Sequence, residues 1–125
     1  ALVGTTITVA LLKFGIGRAR PDVLGALVVE HLSSFPSLHA ALSVGVYGVL
    51  AHIAVGRLRT DASVFAVGAL CVTLALLIGM SRIYLGVHYL SDVLGGYFVG
   101  LMWYLTATHY LTNRAPRWTR VRSMV

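Results

Sequence analysis

Three stretches of this chain, Ala40–Gly56, Ala62–Met80 and Val93–Thr112, contain no Lys, Arg, Asp or Glu. Each is long enough to cross the hydrocarbon core of a bilayer, which takes roughly 17–25 helical residues. A soluble helical domain would carry polar stripes at helical spacing, and these runs have none. The composition agrees: 58% of the chain is hydrophobic and 11% charged, against about a quarter charged in soluble domains. Mean hydropathy is +0.83. The expected fold is therefore all-α, a polytopic transmembrane helix bundle with about four spanning helices.

The first apolar run, Ala1–Leu12, is too short to span unless its helix continues past Lys13 to about Gly17, or unless its start is missing. No charged segment precedes it, so it does not read as a signal peptide. A chain that opens without Met is expected to be the C-terminal part of a longer protein. With 125 residues it holds one domain at most. The single cysteine, Cys71, excludes an internal disulfide and any thiolate metal cluster.

The net charge of +6 invites a nucleic-acid reading, but the cations follow topology and form no single patch. Spanning helices alternate sides, so the connection "RLRTD" at 57–61 shares a face with the tail "NRAPRWTRVRSMV". Arg57, Arg59, Arg114, Arg117, Arg120 and Arg122 thus gather on one side, which the positive-inside rule makes cytoplasmic. Trp118 suits an interfacial anchor there. The expected division is a transmembrane core at 1–112 and a basic cytoplasmic tail at 113–125. The connections at 13–39 and 81–92 then share the outer face.

Those two connections hold three polar clusters. "KFGIGRARP" carries Lys13 and Arg20 before Pro21, which keeps the residue ahead of it out of the helical region. "FPSLHA" places Ser37 where a helix N-cap is expected, with Leu38 and His39 following. A helix N-terminus presents free N–H groups and the positive end of its dipole, a natural anion site. "SRIYLGVHYLSD" carries Ser81, Arg82, His88 and Asp92. Four residues apart on a helix, His88 and Asp92 would share a face, and a carboxylate on one ring nitrogen frees the other for attack.

Singly, each cluster has a plain reading: a snorkelling lysine, an ordinary cap, a structural His–Asp bond. Together, three cations, a helix N-terminus, two histidines and one oriented carboxylate describe a site for a phosphoryl group. Phosphoryl transfer needs chiefly positioning and charge stabilisation. The four acidic residues Asp22, Glu30, Asp61 and Asp92 are too scattered to hold a divalent metal, so metal-free chemistry is expected, with no cofactor.

These clusters resemble the three signature motifs of the type-2 phosphatidic acid phosphatase family, K-x6-RP, PSGH and SR-x5-H-x3-D. Lys13–Pro21 and Ser81–Asp92 match the first and third in full, and "PSLH" at 36–39 matches the second except that Leu38 replaces glycine. The resemblance implies a membrane lipid phosphatase of six helices, with its site at the outer surface. It implies His88 as the nucleophile, Asp92 as its orienting partner, and His39 as the group serving the leaving oxygen and then water. It implies Lys13, Arg20, Ser37, Leu38, Ser81 and Arg82 around the phosphoryl oxygens. Leucine at 38 keeps the N–H that glycine would offer but adds bulk, reshaping the pocket or lining a path for a lipid tail.

The expected substrate is a lipid phosphate or isoprenoid diphosphate. A vanadate-dependent haloperoxidase and a non-catalytic lipid-phosphate binding or transport protein are the competing readings. Among the remaining polar residues, Arg18 supplements the phosphate site or faces water, Glu30 and His31 fall within reach of a head group, and His52 is expected to be packed. Gly95, Gly96 and Gly100 suggest close helix packing.

Overall fold

The computed structural model describes residues 1–21 and 32–114, with side chains as far as residue 110. Asp22, Glu30, His31 and the tail residues Arg117, Trp118, Arg120 and Arg122 lie outside the described residues, as does the side chain of Arg114. All regular structure among the described residues is helical: α1 (Leu2–Ile16), α2 (Leu38–Val55), α3 (Asp61–Tyr84) and α4 (Leu90–Arg114).

Each helix ends where its sequence carries a stop or a cap. α1 closes on Gly17, whose φ of 59° is the left-handed conformation glycine adopts freely and whose N–H donates to the Lys13 carbonyl at 3.1 Å. At 15 residues, α1 is about 22 Å long, short of the roughly 30 Å hydrocarbon core. α2 starts at Ser37, whose hydroxyl accepts the Ala40 N–H at 3.5 Å. Thr60 caps α3, accepting the Ser63 N–H at 3.2 Å, with Asp61 in the first turn at the positive end of the dipole.

α2 and α3 are long and apolar enough to cross a membrane, with little of either buried inside the protein. Phe65, Leu70, Leu77 and Met80 of α3 all point outward. α4 is the longest helix at 25 residues, but Tyr97, Trp103, Tyr104 and the polar run from Thr106 to His109 make it less apolar than the uncharged sequence suggested. Two of these side chains bond to neighbouring helices: Tyr97 Oη donates to the Ala75 carbonyl at 3.0 Å, and Trp103 Nε1 donates to Thr8 Oγ1 at 3.0 Å. Those two bonds join α4 to α3 and to α1. His52, expected to be packed, is exposed near the end of α2.

α2 is the central helix, packed broadly on α4 and α3 and less on α1. The α2–α4 crossing is close because Gly96 and Gly100 present bare backbone to it. A Cβ at Gly96 would strike the Ser37 carbonyl, and one at Gly100 the Ala41 carbonyl. This is the small-residue packing expected from the glycines, used where lipid supplies no hydrophobic drive between helices. Val9, Ala41 and Val99 form the buried centre, with Leu12, Leu38 and Trp103 packed around it.

Candidate active site

The α2–α4 crossing lies directly beneath the polar clusters. The Ser37 N–H donates to the Asp92 carbonyl at 2.9 Å, so the first turn of α2 is docked on the first turn of α4. One backbone bond thereby brings the second motif onto the third.

The stretch from Ser81 to Asp92 folds as a helix stop, a short link and a helix start. Ser81 and Arg82 lie inside the last turn of α3, which runs to Tyr84, rather than just beyond its end as the sequence suggested. Ser81 Oγ donates to the Ile78 carbonyl at 2.7 Å, and Arg82 Nε approaches Ser81 Oγ at 3.4 Å. The helix then closes in a Schellman turn. The Gly86 N–H donates to the Ile83 carbonyl at 2.9 Å, the Val87 N–H to the Arg82 carbonyl at 3.3 Å, and Gly86 sits at φ 71°. Val87 and His88 follow, both buried.

α4 starts with half of a capping box. The Tyr89 N–H donates to Asp92 Oδ2 at 2.8 Å, the reach-back that an acidic residue at the third helical position makes to the residue ahead of the helix. His88 therefore precedes α4 and does not share a helical face with Asp92. The two still meet, with His88 Nδ1 standing 3.5 Å from Asp92 Oδ2 and both side chains buried. That separation places the pair in electrostatic contact without a closed hydrogen bond, and His88 Nδ1 has no hydrogen-bond partner. With Nδ1 turned to the carboxylate, Nε2 is the nitrogen left for attack.

His88 is held below the ordinary imidazole value of 6.5, first by burial and then by the charges of Arg20 and Lys13, against the opposite pull of Asp92. The fold thus favours neutral His88. Its contribution to stability is complete above pH 6.5 and is lost as pH falls through the lowered folded-state value.

The cations of the first motif tie the connections together. Lys13 Nζ donates to the Ser33 carbonyl. Arg20 donates from Nε to the Leu32 carbonyl and from Nη1 to the Val87 carbonyl, both at 2.7 Å, which fixes it beside His88. Ser34, fully buried, donates its N–H to the Arg18 carbonyl at 2.9 Å and its hydroxyl to the Ala19 carbonyl at 3.1 Å. Nothing in the sequence singled out that serine. His39 is exposed in the first turn of α2, while Ser37 is fully buried.

Leu38 packs against the Val9–Ala41–Val99 centre. It also lines an apolar cavity of about 350 Å³ together with Val9, Phe14, Leu32, Lys13 and Ser33. Its side chain belongs to this apolar wall. A second apolar cavity of about 360 Å³ lies deeper, between α2, α3 and α4 near Tyr47, Cys71 and Tyr104, away from the polar clusters.

The sequence matches the PAP2 superfamily model over residues 1–116. The chain belongs to the PAP2 superfamily. It is 41% identical over 96 residues to "Phosphatidylglycerophosphatase B" of Bacillus subtilis (strain 168), an alignment covering 74% of this chain and 45% of that protein. It is 41% identical over 61 residues to "Putative undecaprenyl-diphosphatase YbjG" of Escherichia coli (strain K12), covering 43% of this chain and 31% of that one. Its fold superposes with a TM-score of 0.83 and 34% identity on the crystal structure of a transmembrane PAP2-type phosphatidylglycerolphosphate phosphatase from Bacillus subtilis, covering 93% of this chain and 57% of that one. The chain spans less than half the length of the two curated relatives. The all-helical bundle is that of a transmembrane PAP2 protein, and the chain is an integral membrane protein.

Proposed function

We propose that this PAP2 protein is a lipid phosphate phosphatase that works through a phosphohistidine on His88, without a metal, at the outer face of the membrane. The observation that carries the reading is the docking of α2 on α4 through Ser37 and Asp92, which places a helix N-terminus, a buried neutral histidine and its carboxylate partner in one place. In the first step the His88 Nε2 lone pair attacks phosphorus and the P–O bond to the leaving group breaks. His39 supplies the proton that the leaving oxygen takes up. In the second step His39 removes a proton from water, the resulting oxygen attacks phosphorus, and the P–N bond breaks to return His88 and release phosphate. Lys13, Arg20, Arg82, the Ser37 hydroxyl and the first N–H groups of α2 offset charge on the phosphoryl oxygens, with Ser81 supporting Arg82. Asp92 holds the imidazole and balances the positive charge that develops on it.

The apolar cavity bordered by Lys13 and Leu38 favours a substrate with an alkyl or prenyl chain over a soluble phosphoester. Phosphatidylglycerophosphate and undecaprenyl diphosphate are the first two to test, given the relatives' names, with phosphatidate third. The purified protein should release phosphate from at least one of the three in EDTA. Release that appears only on adding a divalent metal would exclude the histidine mechanism.

The pH dependence has a definite sign. The reactive form of His88 is neutral, and its surroundings hold it below 6.5. The acid limb of kcat/KM should accordingly lie below pH 6.5. A limb above that value would mean that the Asp92 charge outweighs burial and the two cations.

A further inference from the structure

Asp92 is completely buried, and an ionised carboxylate there is costly unless it is paired and hydrogen-bonded. Its partners divide unequally between its two oxygens. Oδ2 accepts the Tyr89 N–H and faces His88. Oδ1 accepts Arg18 Nη1 at 2.8 Å. The same Nη1 also reaches Ser91 Oγ at 2.7 Å, and the Arg18 guanidinium lies 4.4 Å from the centroid of the Tyr89 ring. Arg18 thus grips Tyr89, Ser91 and Asp92, all at the start of α4, from the segment that follows α1. It occupies an unspecified position inside the first motif, between Lys13 and Arg20.

We propose that Arg18 is a positioning residue that acts through Asp92: it pairs with the buried carboxylate and commits Oδ1, so that only Oδ2 faces the nucleophilic histidine. This rests on the phosphohistidine reading above. Arg18 serves the reaction without touching the phosphoryl group, unlike Lys13, Arg20 and Arg82. The charged groups acting on the His88–Asp92 pair are Arg18 on the carboxylate, and Lys13 and Arg20 on the imidazole. Arg82 in the last turn of α3, His39 in the first turn of α2, and Tyr84 and Tyr89 are the other titratable and charged groups of the three motifs at this end of the bundle.

Removing Arg18 has two effects of one sign. The carboxylate charge, no longer shared, acts in full on His88, and one nearby cation is lost. Both favour imidazolium over the neutral nucleophile. Arg18→Gln should therefore lower kcat by about ten- to a hundredfold, with KM nearly unchanged. It should also move the acid limb of kcat/KM upward by about one pH unit. Arg18→Lys keeps a cation for Asp92 and should restore most of kcat. It also decides the matter if the glutamine variant does not fold, because a lysine variant with a wild-type melting temperature but the glutamine variant's predicted defects would show that charge at Asp92 is not what matters.

In an Asp92→Asn background, Arg18→Gln should cost no more than about twofold further. Full additivity of the two substitutions would overturn the proposal. So would a rise in KM with kcat and the acid limb unmoved, which would make Arg18 a substrate ligand. If His88→Ala and Asp92→Asn both keep full activity, the phosphohistidine reading itself fails, a result distinguishable from any behaviour of Arg18 alone.

Discussion

Replacing His88 with alanine should lower phosphate release by at least roughly 10⁴-fold, with KM little changed for any residual activity. Losing the nucleophile of a covalent mechanism removes the entire route, so the loss approaches that of dismantling the whole catalytic unit. The substitution is also informative because of where His88 sits. Its ring is buried, its Nδ1 makes no hydrogen bond, and it is held neutral among cations. Truncating a group in that state removes an unsatisfied polar atom and a disfavoured charge, so the alanine variant should unfold no earlier than the wild type at acid pH. Activity and stability then move apart: the first collapses while the second holds. A short incubation with ³²P-labelled lipid phosphate followed by an alkaline quench should leave acid-labile label on the wild-type protein and none on His88→Ala. Label retained on the alanine variant would assign the nucleophile to another residue.

How much of this site was legible in the sequence differs from residue to residue, for physical reasons. α2 and α3 follow from their uncharged runs, because length and apolarity are local properties. The end of α1 near Gly17 was within reach of the sequence, whereas the left-handed turn at Gly86 that closes α3 was not singled out there. The His88–Asp92 spacing identified the pair correctly but suggested a shared helical face, whereas α4 begins at Leu90 and the carboxylate reaches back over the helix start. Spacing alone does not distinguish a face from a cap. Long-range partners were out of reach altogether. Arg18 looked like a spare cation because its partner is 74 residues away, and Arg20 spends donors on the Leu32 and Val87 carbonyls, which no side-chain pattern encodes. Leu38 stood out as a departure from a motif. Its packing on Ala41 and Val9 shows what its bulk does: it closes the α1–α2 contact beside Lys13.

The second large effect should come from a glycine that carries no chemistry. Gly96→Val is expected to destabilise the protein by about 1–3 kcal/mol or more, and to lower kcat even at temperatures where the variant remains folded. A Cβ at this position would collide with the Ser37 carbonyl and come within 3.0 Å of the Ala40 Cβ and 3.2 Å of the Ala41 N. Two of those three obstacles are backbone, which has no rotamer to change. α2 and α4 must separate to admit the side chain. The Ser37 N–H, one peptide unit from the struck carbonyl, is the group that donates to Asp92. Any separation therefore stretches the bond that sets the helix N-terminus against the His88–Asp92 pair. Gly68→Ala on α3 is the control, since a Cβ there meets nothing within 4 Å. Relieving glycine's entropy in a helix interior should leave that variant unchanged or raise its stability by up to about 1 kcal/mol. Thermal unfolding in detergent and kcat, measured on both, test whether the close crossing is what holds the site together. A Gly96→Val protein with wild-type melting temperature and wild-type kcat would mean that the two helices tolerate a wider separation without disturbing the geometry at Asp92.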